Sequence, residues 1–242
     1  MPLALAISPH LDDAVFSCGG TLAMLARRNW TVVMATVFTA SVANPSSFAL
    51  SCQTDKGISA DLDYMAMRRA EDMEAAAALG ISAPLWLPFC EAPHRGYCSV
   101  SDLFGSVRSD DQLPLCAAIA DVIHRFRPSL VLGPLAIGGH VDHVVVRNAL
   151  QNLSTQRIWL WHDFPYCLRH RNSKKSSNAR AARRLALDVA ARRQKQQACA
   201  RYASQLGFQF GGLDGLDAAL HSTGWVEYFH YNKAAGGIAA GT

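Results

Sequence analysis

Apolar runs with the character of buried strands alternate with helical segments along most of this chain. Five such runs occur, namely LALAIS (3–8), WTVVMATVF (30–38), APLWLPF (83–89), SLVLGPLA (129–136) and RIWLWHDF (157–164). Helical patterns follow them over 18–29, 61–80, 113–126, 142–153 and 179–204. A continuous apolar run is typical of a strand that is buried on both faces, and helices packed on the two faces of a sheet bury such strands. The alternation predicts an α/β fold with a mostly parallel sheet.

The length of the chain and its polar stretches predict one domain with a framed pocket. The 242 residues are enough to bury a full core, and no internal repeat divides them. We expect a single domain over 1–233 and a disordered tail over 234–242. The polar stretches 41–59 and 91–111 are long for plain connections, so we expect them to frame the pocket and select the substrate.

Hydropathy and cysteine content exclude several classes of protein. No apolar run approaches the ~20 residues of a membrane span, and the first residues lack the basic start of a signal peptide. The seven cysteines form no C-x-x-C pair, which argues against a disulfide framework or a zinc ribbon. These features indicate a cytoplasmic protein with reduced thiols and no membrane span.

The net charge of +4 comes from one segment, because ten of the 23 Lys and Arg residues fall within 169–195. This segment lacks the signatures of RNA- or DNA-binding modules, so we expect no nucleic-acid partner. A solvated loop and helix face accounts for the charge. Contact with an acidic part of a substrate or with a partner subunit is the alternative, and the sequence leaves a homo-oligomer open.

Two polar clusters follow predicted strands at the point where each strand ends. His10, Asp12 and Asp13 come after the first strand, and Gly138 to His143 (GGHVDH) come after the strand 129–136. Ligands of open parallel sheets bind at the carboxyl ends of the strands. We therefore expect both clusters at one edge of the sheet.

The residue types in these clusters are those of a metal-dependent hydrolase. Two histidines and one aspartate match the three protein ligands of a catalytic zinc, which leaves a position for water. A further carboxylate can be the general base, and a further histidine can protonate a leaving group or stabilise an oxyanion. Each cluster alone is also explained by an aspartate that caps the following helix. Two clusters at one edge favour metal-dependent hydrolysis.

Three stretches resemble motifs of the PIG-L/LmbE-like deacetylases. SPHLDDAVFSCGGTLA resembles the opening motif of that family, and HVDH resembles its second motif, H-P-D-H. MRRAEDMEAAAALG lies between them and is similar to the family's R-x-x-E helix, with Arg68 and Glu71 at the matching positions. Leu11 and Val141 replace the usual prolines, and Ala14 stands where many relatives have Glu. We expect looser loops there without loss of ligands.

The resemblance implies a Rossmann-like three-layer sandwich and a zinc-dependent hydrolase that removes an N-acetyl group from an amino sugar or an amino-sugar-containing biosynthetic intermediate. Carried over by position, His10, Asp13 and His143 ligate the zinc. Asp12 becomes the general base that acts on a metal-activated water. His140 polarises the carbonyl or protonates the leaving amine.

Further positions follow from the same resemblance. Asp142 orients a nearby histidine, and Arg68 contacts substrate. WHDFPYCLRH resembles an E-D-x-P-Y segment of members that act in antibiotic or glycoconjugate biosynthesis, which makes Asp163 a second substrate contact. Aromatic residues that could stack on a sugar ring, or equally belong to the core, are Trp86, Tyr97, Phe104 and Trp161.

Several alternatives stay open from the sequence. The substrate could be a non-sugar amide of secondary metabolism, and the chain could also be a non-catalytic metal- or sugar-binding relative. A nucleotide-binding Rossmann protein is disfavoured, because the glycines do not form G-x-G-x-x-G. The ligand set also suits Fe²⁺ or Co²⁺ in place of Zn²⁺. The expected partner is a small N-acetylated molecule.

Overall fold

The computed structural model describes residues 1–45, 47–153, 157–169 and 183–231. The strands in this part of the chain are β1 (Leu3–Ser8), β2 (Thr31–Thr36), β3 (Leu85–Trp86), β4 (Leu130–Pro134), β5 (Ile158–Trp161), β6 (Arg183–Ala186) and β7 (Val226–Tyr231). They form one sheet in the order β3-β2-β1-β4-β5-β7-β6. The first five strands in this order, from β3 to β5, pair in parallel. Strand β7 is antiparallel to both of its neighbours, β5 and β6. The predicted α/β fold with a mostly parallel sheet is confirmed.

Helices cover both faces of the sheet. The helices of the described residues are α1 (Asp13–Arg27), α2 (Ser47–Thr54), α3 (Tyr64–Leu79), α4 (Val100–Leu103), α5 (Ser109–Phe126), α6 (Val141–Gln151), α7 (Tyr166–Arg169), α8 (Val189–Cys199), α9 (Ala203–Phe210) and α10 (Leu213–Ser222). A 3₁₀ turn spans Ala92–Arg95. Local signals set the ends of α3, because the Asp63 side chain accepts a hydrogen bond from the Ala66 amide and Gly80 adopts a left-handed conformation.

The central strands are buried on both faces, which explains their unbroken apolar sequences. Along β1, Leu5 and Ile7 belong to the core shared with α5 and α6. Ala4 and Ala6 point the other way and belong to the core shared with α1, α3 and α8. Successive side chains of a strand alternate between the two faces of the sheet, so both kinds of position must be apolar here.

Two segments fold differently from their sequence patterns. Within the polar stretch 41–59, for which no helix was predicted, Ser47–Thr54 forms α2, and the buried Gln53 side chain donates hydrogen bonds to the Ser59 and Leu62 carbonyls. Only Leu85–Trp86 of the strand expected over 83–89 joins the ladder. Proline lacks a backbone N–H and occurs at both ends of that run, which limits its pairing.

The helix predicted over 179–204 is wrong in its first described part. Arg183–Ala186 forms β6, which pairs with β7, and the helical structure is confined to α8 and α9. The Arg- and Ala-rich residues have good local helix propensity, but a distant strand supplies their hydrogen-bond partners. No pattern in the sequence predicted β7 either, so both strands of this antiparallel pair were missed.

The tail predicted over 234–242 and residues 170–182 of the basic segment lie outside the described residues. In the described part of that segment Arg183 lies over the Trp159 ring, whereas Lys195 is buried. Among the described residues no helix has both the length and the apolar character needed to cross a bilayer.

A buried ion pair fastens β7 to α1 and α8. The Glu227 carboxylate accepts hydrogen bonds from the Gly20 and Thr21 amides, just after the irregular turn that α1 makes at Cys18. Lys195 Nζ lies 2.7 Å from Glu227 Oε1, and both side chains are almost fully buried. The carboxylate thus caps the second part of α1 while the ammonium neutralises it.

Glu227→Gln is expected to lower the free energy of unfolding by about 3–5 kcal/mol, because it leaves the Lys195 ammonium buried without a counter-charge. Urea unfolding at neutral pH measures the change. Glu74→Gln is the matched control, since Glu74 pairs with Arg201 on the surface at 3.6 Å and is expected to change stability far less. Equal effects of the two substitutions would contradict this account of the buried pair.

Candidate active site

The two polar clusters meet at the carboxyl edge of the sheet. His10 to Asp13 follow β1 and Gly138 to His143 follow β4, and these strands are parallel neighbours. The strand order reverses here, because the chain runs outward from β1 to β3 on one side and from β4 to β5 on the other. Such a reversal opens the crevice in which α/β sheets bind ligands. Asp163 reaches the same edge from the end of β5.

The loop after β1 is held by its own polar groups. Ser8 Oγ donates a hydrogen bond to the His10 carbonyl and accepts one from the Ala14 amide. The His10 amide donates to Asp13 Oδ2 at 2.8 Å. Asp12 stands at the position before α1, but its side chain makes no capping hydrogen bond. Helix capping therefore does not explain the Asp12 carboxylate.

His10 is oriented by one aspartate and faces another. Its Nε2 lies 2.9 Å from Asp142 Oδ2, and its Nδ1 lies 3.1 Å from Asp13 Oδ2. Burial lowers the pKa of His10, but hydrogen bonds to Asp13 and Asp142 outweigh burial and raise the pKa to about 9. The contact with Asp142 leaves Nδ1 as the ring nitrogen that is open toward Asp13.

His143 repeats this arrangement from the other cluster. Its Nδ1 lies 2.8 Å from Asp163 Oδ1, and its buried Nε2 has no hydrogen-bond partner in the described part of the chain. Nε2 lies 3.2 Å from Asp13 Oδ2, the same oxygen that faces His10. Burial lowers the pKa of His143, but the carboxylates of Asp13 and Asp163 raise it well above the usual value.

These three side chains fit a divalent metal ion. The candidate ligand atoms of His10, Asp13 and His143 all lie within 4.8 Å of one another. Two imidazole nitrogens and a carboxylate oxygen form a donor set that suits zinc and related ions. The buried Nε2 of His143 makes no well-aligned hydrogen bond and faces Asp13 Oδ2 at 3.2 Å, so both atoms are directed at the position that an ion would occupy.

A second group, His10 with His140 and Asp142, also brings its candidate ligand atoms within 4.8 Å. The carboxylate of Asp142 is already used, because it accepts hydrogen bonds from the Ala92 amide, the Arg95 guanidinium and His10. His10 already contacts this carboxylate directly, since its Nε2 lies 2.9 Å from Asp142 Oδ2. We therefore favour the first group as the metal ligands.

The Asp12 carboxylate lies beside this group without joining it. Its closest charged partner is Arg68, whose Nη2 lies 3.5 Å from Asp12 Oδ2. Burial, followed by the neighbouring charge of Asp13, raises the pKa of Asp12 to about 7, although Arg68 and His10 act in the opposite direction. A carboxylate with a pKa near neutrality can accept a proton and release it again at physiological pH.

The hydrogen bonds of His140 define where its proton sits. His140 Nδ1 accepts a hydrogen bond of 3.2 Å from the Asp142 amide at the start of α6. Burial lowers the pKa of His140 to about 3, even though the Asp142 charge raises it, so the ring is neutral. A neutral imidazole with an accepting Nδ1 carries its proton on Nε2. His140 therefore presents an N–H donor to the crevice.

Two positions predicted to contact substrate are buried. The Arg68 guanidinium donates to Glu91 Oε1 at 2.6 Å and to the Leu11 carbonyl at 3.0 Å, behind Asp12. Asp163 is 1% exposed and bonds to His143 and to the Ile137 amide. Both side chains thus support residues of the site and have little surface to offer a substrate. Glu71, the partner of Arg68 in the sequence motif, holds Ser204 of α9 instead.

Two charged residues of the stretch 91–111, Glu91 and Arg95, hold side chains of the site and were not predicted from the sequence. Arg95 Nη2 donates to Asp142 Oδ1 at 2.7 Å, and its Nε donates to Asp111. Glu91 holds Arg68. No motif marks these side chains, and only the length of the stretch indicated that it contributes. A cavity of about 590 Å³ is lined by fourteen residues between Ser41 and Met65 and by Glu91, Pro93 and His94, but by none of the histidines and aspartates of the two clusters. That the stretch frames the substrate pocket stays a prediction.

The sequence profile of the family described as PIG-L: GlcNAc-PI de-N-acetylase matches residues 5–154. The chain belongs to the PIG-L family. The matched region contains both polar clusters and the helix with Arg68, and the resemblance seen in the sequence motifs is confirmed.

Several relatives of this PIG-L chain are deacetylases. The 2'-N-acetylparomamine deacetylase of Streptomyces fradiae is 32% identical over 148 residues, which cover 61% of this chain and 50% of that protein. The match thus spans about half the length of that curated relative. The zinc-inhibited form of teicoplanin deacetylase has a similar structure, with a TM-score of 0.81, 28% identity and coverage of 95% of this chain and 97% of that one. The structure of A40926 pseudoaglycone deacetylase is also similar, with a TM-score of 0.80 and 30% identity, and the match covers 97% of this chain and 98% of that one.

Asp163→Asn tests the contact behind His143. The amide keeps the size of the side chain but removes the charge that orients the ring, so we expect metal affinity to fall about 10- to 100-fold. Metal titration with a competing chromophoric chelator measures the change. Asp121→Asn, which replaces an exposed carboxylate on α5, is the control and is expected to bind metal as the wild type does. Unchanged affinity in Asp163→Asn would show that His143 needs no such support.

Proposed function

We propose that this chain is a metal-dependent N-deacetylase that hydrolyses the N-acetyl group of an amino sugar in a biosynthetic intermediate of the antibiotic type. The observation that carries the proposal is the convergence of His10, Asp13 and His143 within 4.8 Å, with the Asp12 carboxylate and the His140 ring beside them. The family and the deacetylase relatives support the same reaction class.

His10, Asp13 and His143 would hold the ion, with Asp142 and Asp163 orienting the two imidazoles from behind. When bound, a divalent ion such as Zn²⁺ supplies a Lewis acid that lowers the pKa of water and polarises the amide carbonyl. Each carboxylate–histidine contact fixes which ring nitrogen faces the centre of the site. The protein therefore provides the ligands in a preformed arrangement.

Asp12 is the proposed general base. Its carboxylate has no hydrogen-bond partner among the described side chains and only the longer contact to Arg68, so a lone pair is free to take a proton from the attacking water. The water oxygen is added to the acetyl carbon, and the C–N bond then breaks. Asp12 can deliver the same proton to the departing nitrogen, which gives acetate and a free amine.

His140 is the proposed donor to the carbonyl oxygen. The backbone amide of Asp142 occupies its Nδ1, and the Nε2–H can therefore stabilise the negative charge that develops on that oxygen. This assignment selects one of the two roles that the sequence left open for His140.

Arg68 and Glu91 form an ion pair of 2.6 Å that keeps the positive charge close to Asp12. That charge stabilises the ionised form of the base.

The cellular setting is also part of the proposal. The expected partner is a small N-acetylated molecule, and two relatives are named as deacetylases of 2'-N-acetylparomamine and of A40926 pseudoaglycone. We propose a cytoplasmic location on the grounds of the reduced cysteines. Assembly into a homo-oligomer and the absence of a nucleic-acid partner stay predictions.

Release of primary amine and acetate from a panel of N-acetylated amino sugars tests this function. The wild type is assayed as purified, after removal of metal with a chelator, and after return of one equivalent of Zn²⁺, Co²⁺ or Fe²⁺. We expect activity to vanish on metal removal and to return with at least one ion. Equal amounts of acetate and amine identify amide hydrolysis. A wild type that binds metal but releases neither product from any member of the panel would refute the proposal.

A further inference from the structure

Two aromatic side chains lie beside the histidines of the candidate active site. The ring centroids of Phe104 and His140 are 5.5 Å apart, and those of Tyr166 and His143 are also 5.5 Å apart. The two aromatic rings are 6.3 Å from each other. Phe104 follows α4 and Tyr166 begins α7, so the fold brings them together from separate parts of the chain. We call these two side chains the aromatic pair.

Phe104 is 44% exposed although it is wholly apolar and adjoins the crevice. Covering such a ring would remove apolar surface from water and stabilise whatever covers it. The other aromatic residues considered for sugar stacking differ. Trp161 and Tyr97 are buried, and Trp86 Nε1 donates to the buried Asp72. Of these four candidates, the structure leaves Phe104 with an open ring surface next to the reacting groups.

Tyr166 is held in place and offers a polar group. Its ring packs so closely on Gly138 that a Cβ atom there would lie 2.9 Å from Tyr166 Cδ1. Its hydroxyl makes no hydrogen bond within the described ranges of the chain. The hydroxyl is therefore free to donate and to accept hydrogen bonds, on a ring that lies beside His143.

We propose that Phe104 and Tyr166 form the subsite for the sugar ring that carries the N-acyl group. A pyranose ring combines a C–H face, which suits the surface of Phe104, with hydroxyl groups that can bond to the Tyr166 hydroxyl. Because each aromatic ring adjoins one site histidine, a sugar seated on the pair places its amide near His140 and Asp12. This inference rests on the proposed function and specifies how the substrate is recognised.

Binding to the metal-free protein tests the subsite without relying on turnover. N-acetylglucosamine and the ring-free amide N-acetylethanolamine are titrated in NMR experiments that measure the dissociation constant. We expect Phe104→Ala to weaken binding of the sugar about tenfold, which corresponds to roughly one aromatic contact, and Phe104→Trp to restore it. Binding of N-acetylethanolamine should change far less. Tyr166→Phe, which removes only the hydroxyl, should also weaken binding of the sugar.

A matched control separates a local effect from a general one. Phe208→Ala removes another exposed phenylalanine, which lies on α9 with its ring near Lys56, and should leave both dissociation constants unchanged. Sugar binding by Phe104→Ala that equals the wild type would overturn the subsite. So would a Phe104→Trp variant that binds no better than Phe104→Ala.

Kinetics with the metal-loaded enzyme distinguish failure of the subsite from failure of the proposed function. If the subsite is correct, Phe104→Ala raises KM for N-acetyl sugars more than it lowers kcat. If the wild type hydrolyses these sugars and Phe104→Ala leaves KM unchanged, the subsite is wrong and the proposed function stands. If the wild type binds the sugar on the aromatic pair but releases no amine, the proposed function is wrong.

Discussion

Asp12→Asn is expected to lower kcat for amide hydrolysis by about 10²- to 10⁴-fold while the metal content stays at the wild-type level. Asparagine has the size of aspartate, but its amide cannot accept the proton of the attacking water. Asp12 is not among the three side chains whose ligand atoms converge, so its neutralisation leaves the donor set intact. Arg68 keeps its contact with Glu91 in the variant, which preserves the surrounding structure.

Metal analysis by mass spectrometry and an amine-release assay on the same preparation measure both quantities. Asp121→Asn is the matched control, since Asp121 is an exposed carboxylate on α5, and we expect it to keep kcat within about twofold. Parallel loss of metal and activity in Asp12→Asn would make Asp12 a ligand. Full activity with metal present would exclude it as the base.

His143→Ala is expected to abolish stoichiometric metal binding and with it the activity. The substitution removes one of three donors, so the loss of affinity should exceed the roughly 100-fold that changes behind a ligand produce. It also removes the partner of the buried Asp163 and can lower stability. Isothermal titration with Zn²⁺ measures the affinity, and urea unfolding measures the stability of the same sample.

Two further variants make this result specific to the site. His124→Ala removes an exposed histidine on α5 and should bind metal as the wild type does. His10→Ala removes a ligand from the other cluster and should also lose the metal, because the two clusters are proposed to share one ion. A His143→Ala protein that folds and still binds one equivalent of Zn²⁺ tightly would contradict the proposed ligand set.

Much of the fold could be predicted because its decisive features are local. Leu3–Ser8 was predicted with the observed bounds, since a strand buried on both faces carries an unbroken apolar run. The end of α3 at Gly80 could also be predicted, because a helix that ends in a left-handed residue favours glycine at that position. The pair β6 and β7 was not, since antiparallel pairing between distant segments leaves no local periodicity that separates it from a helix.

The residues of the candidate site also fall into a group that could be predicted from the sequence and a group that could not. Its central residues lie in two short motifs, so His10, Asp12, Asp13, His140 and His143 could be named from spacing and family resemblance. The residues behind them could not be placed, because their positions depend on how elements pack. Asp163 was expected at the substrate and lies behind His143, and Arg95 was not selected although it holds Asp142.

The sequence by itself determined the parallel sheet, the two polar clusters and the family, because hydrophobic periodicity and motif spacing are properties of neighbouring residues. The tertiary structure alone decided which nitrogen of each histidine faces the centre, since that choice depends on the carboxylates of Asp142 and Asp163 across the crevice. It also decided that Phe104 is open beside His140 while Trp161 is buried. Exposure results from packing between distant elements, and no local pattern in the chain encodes it.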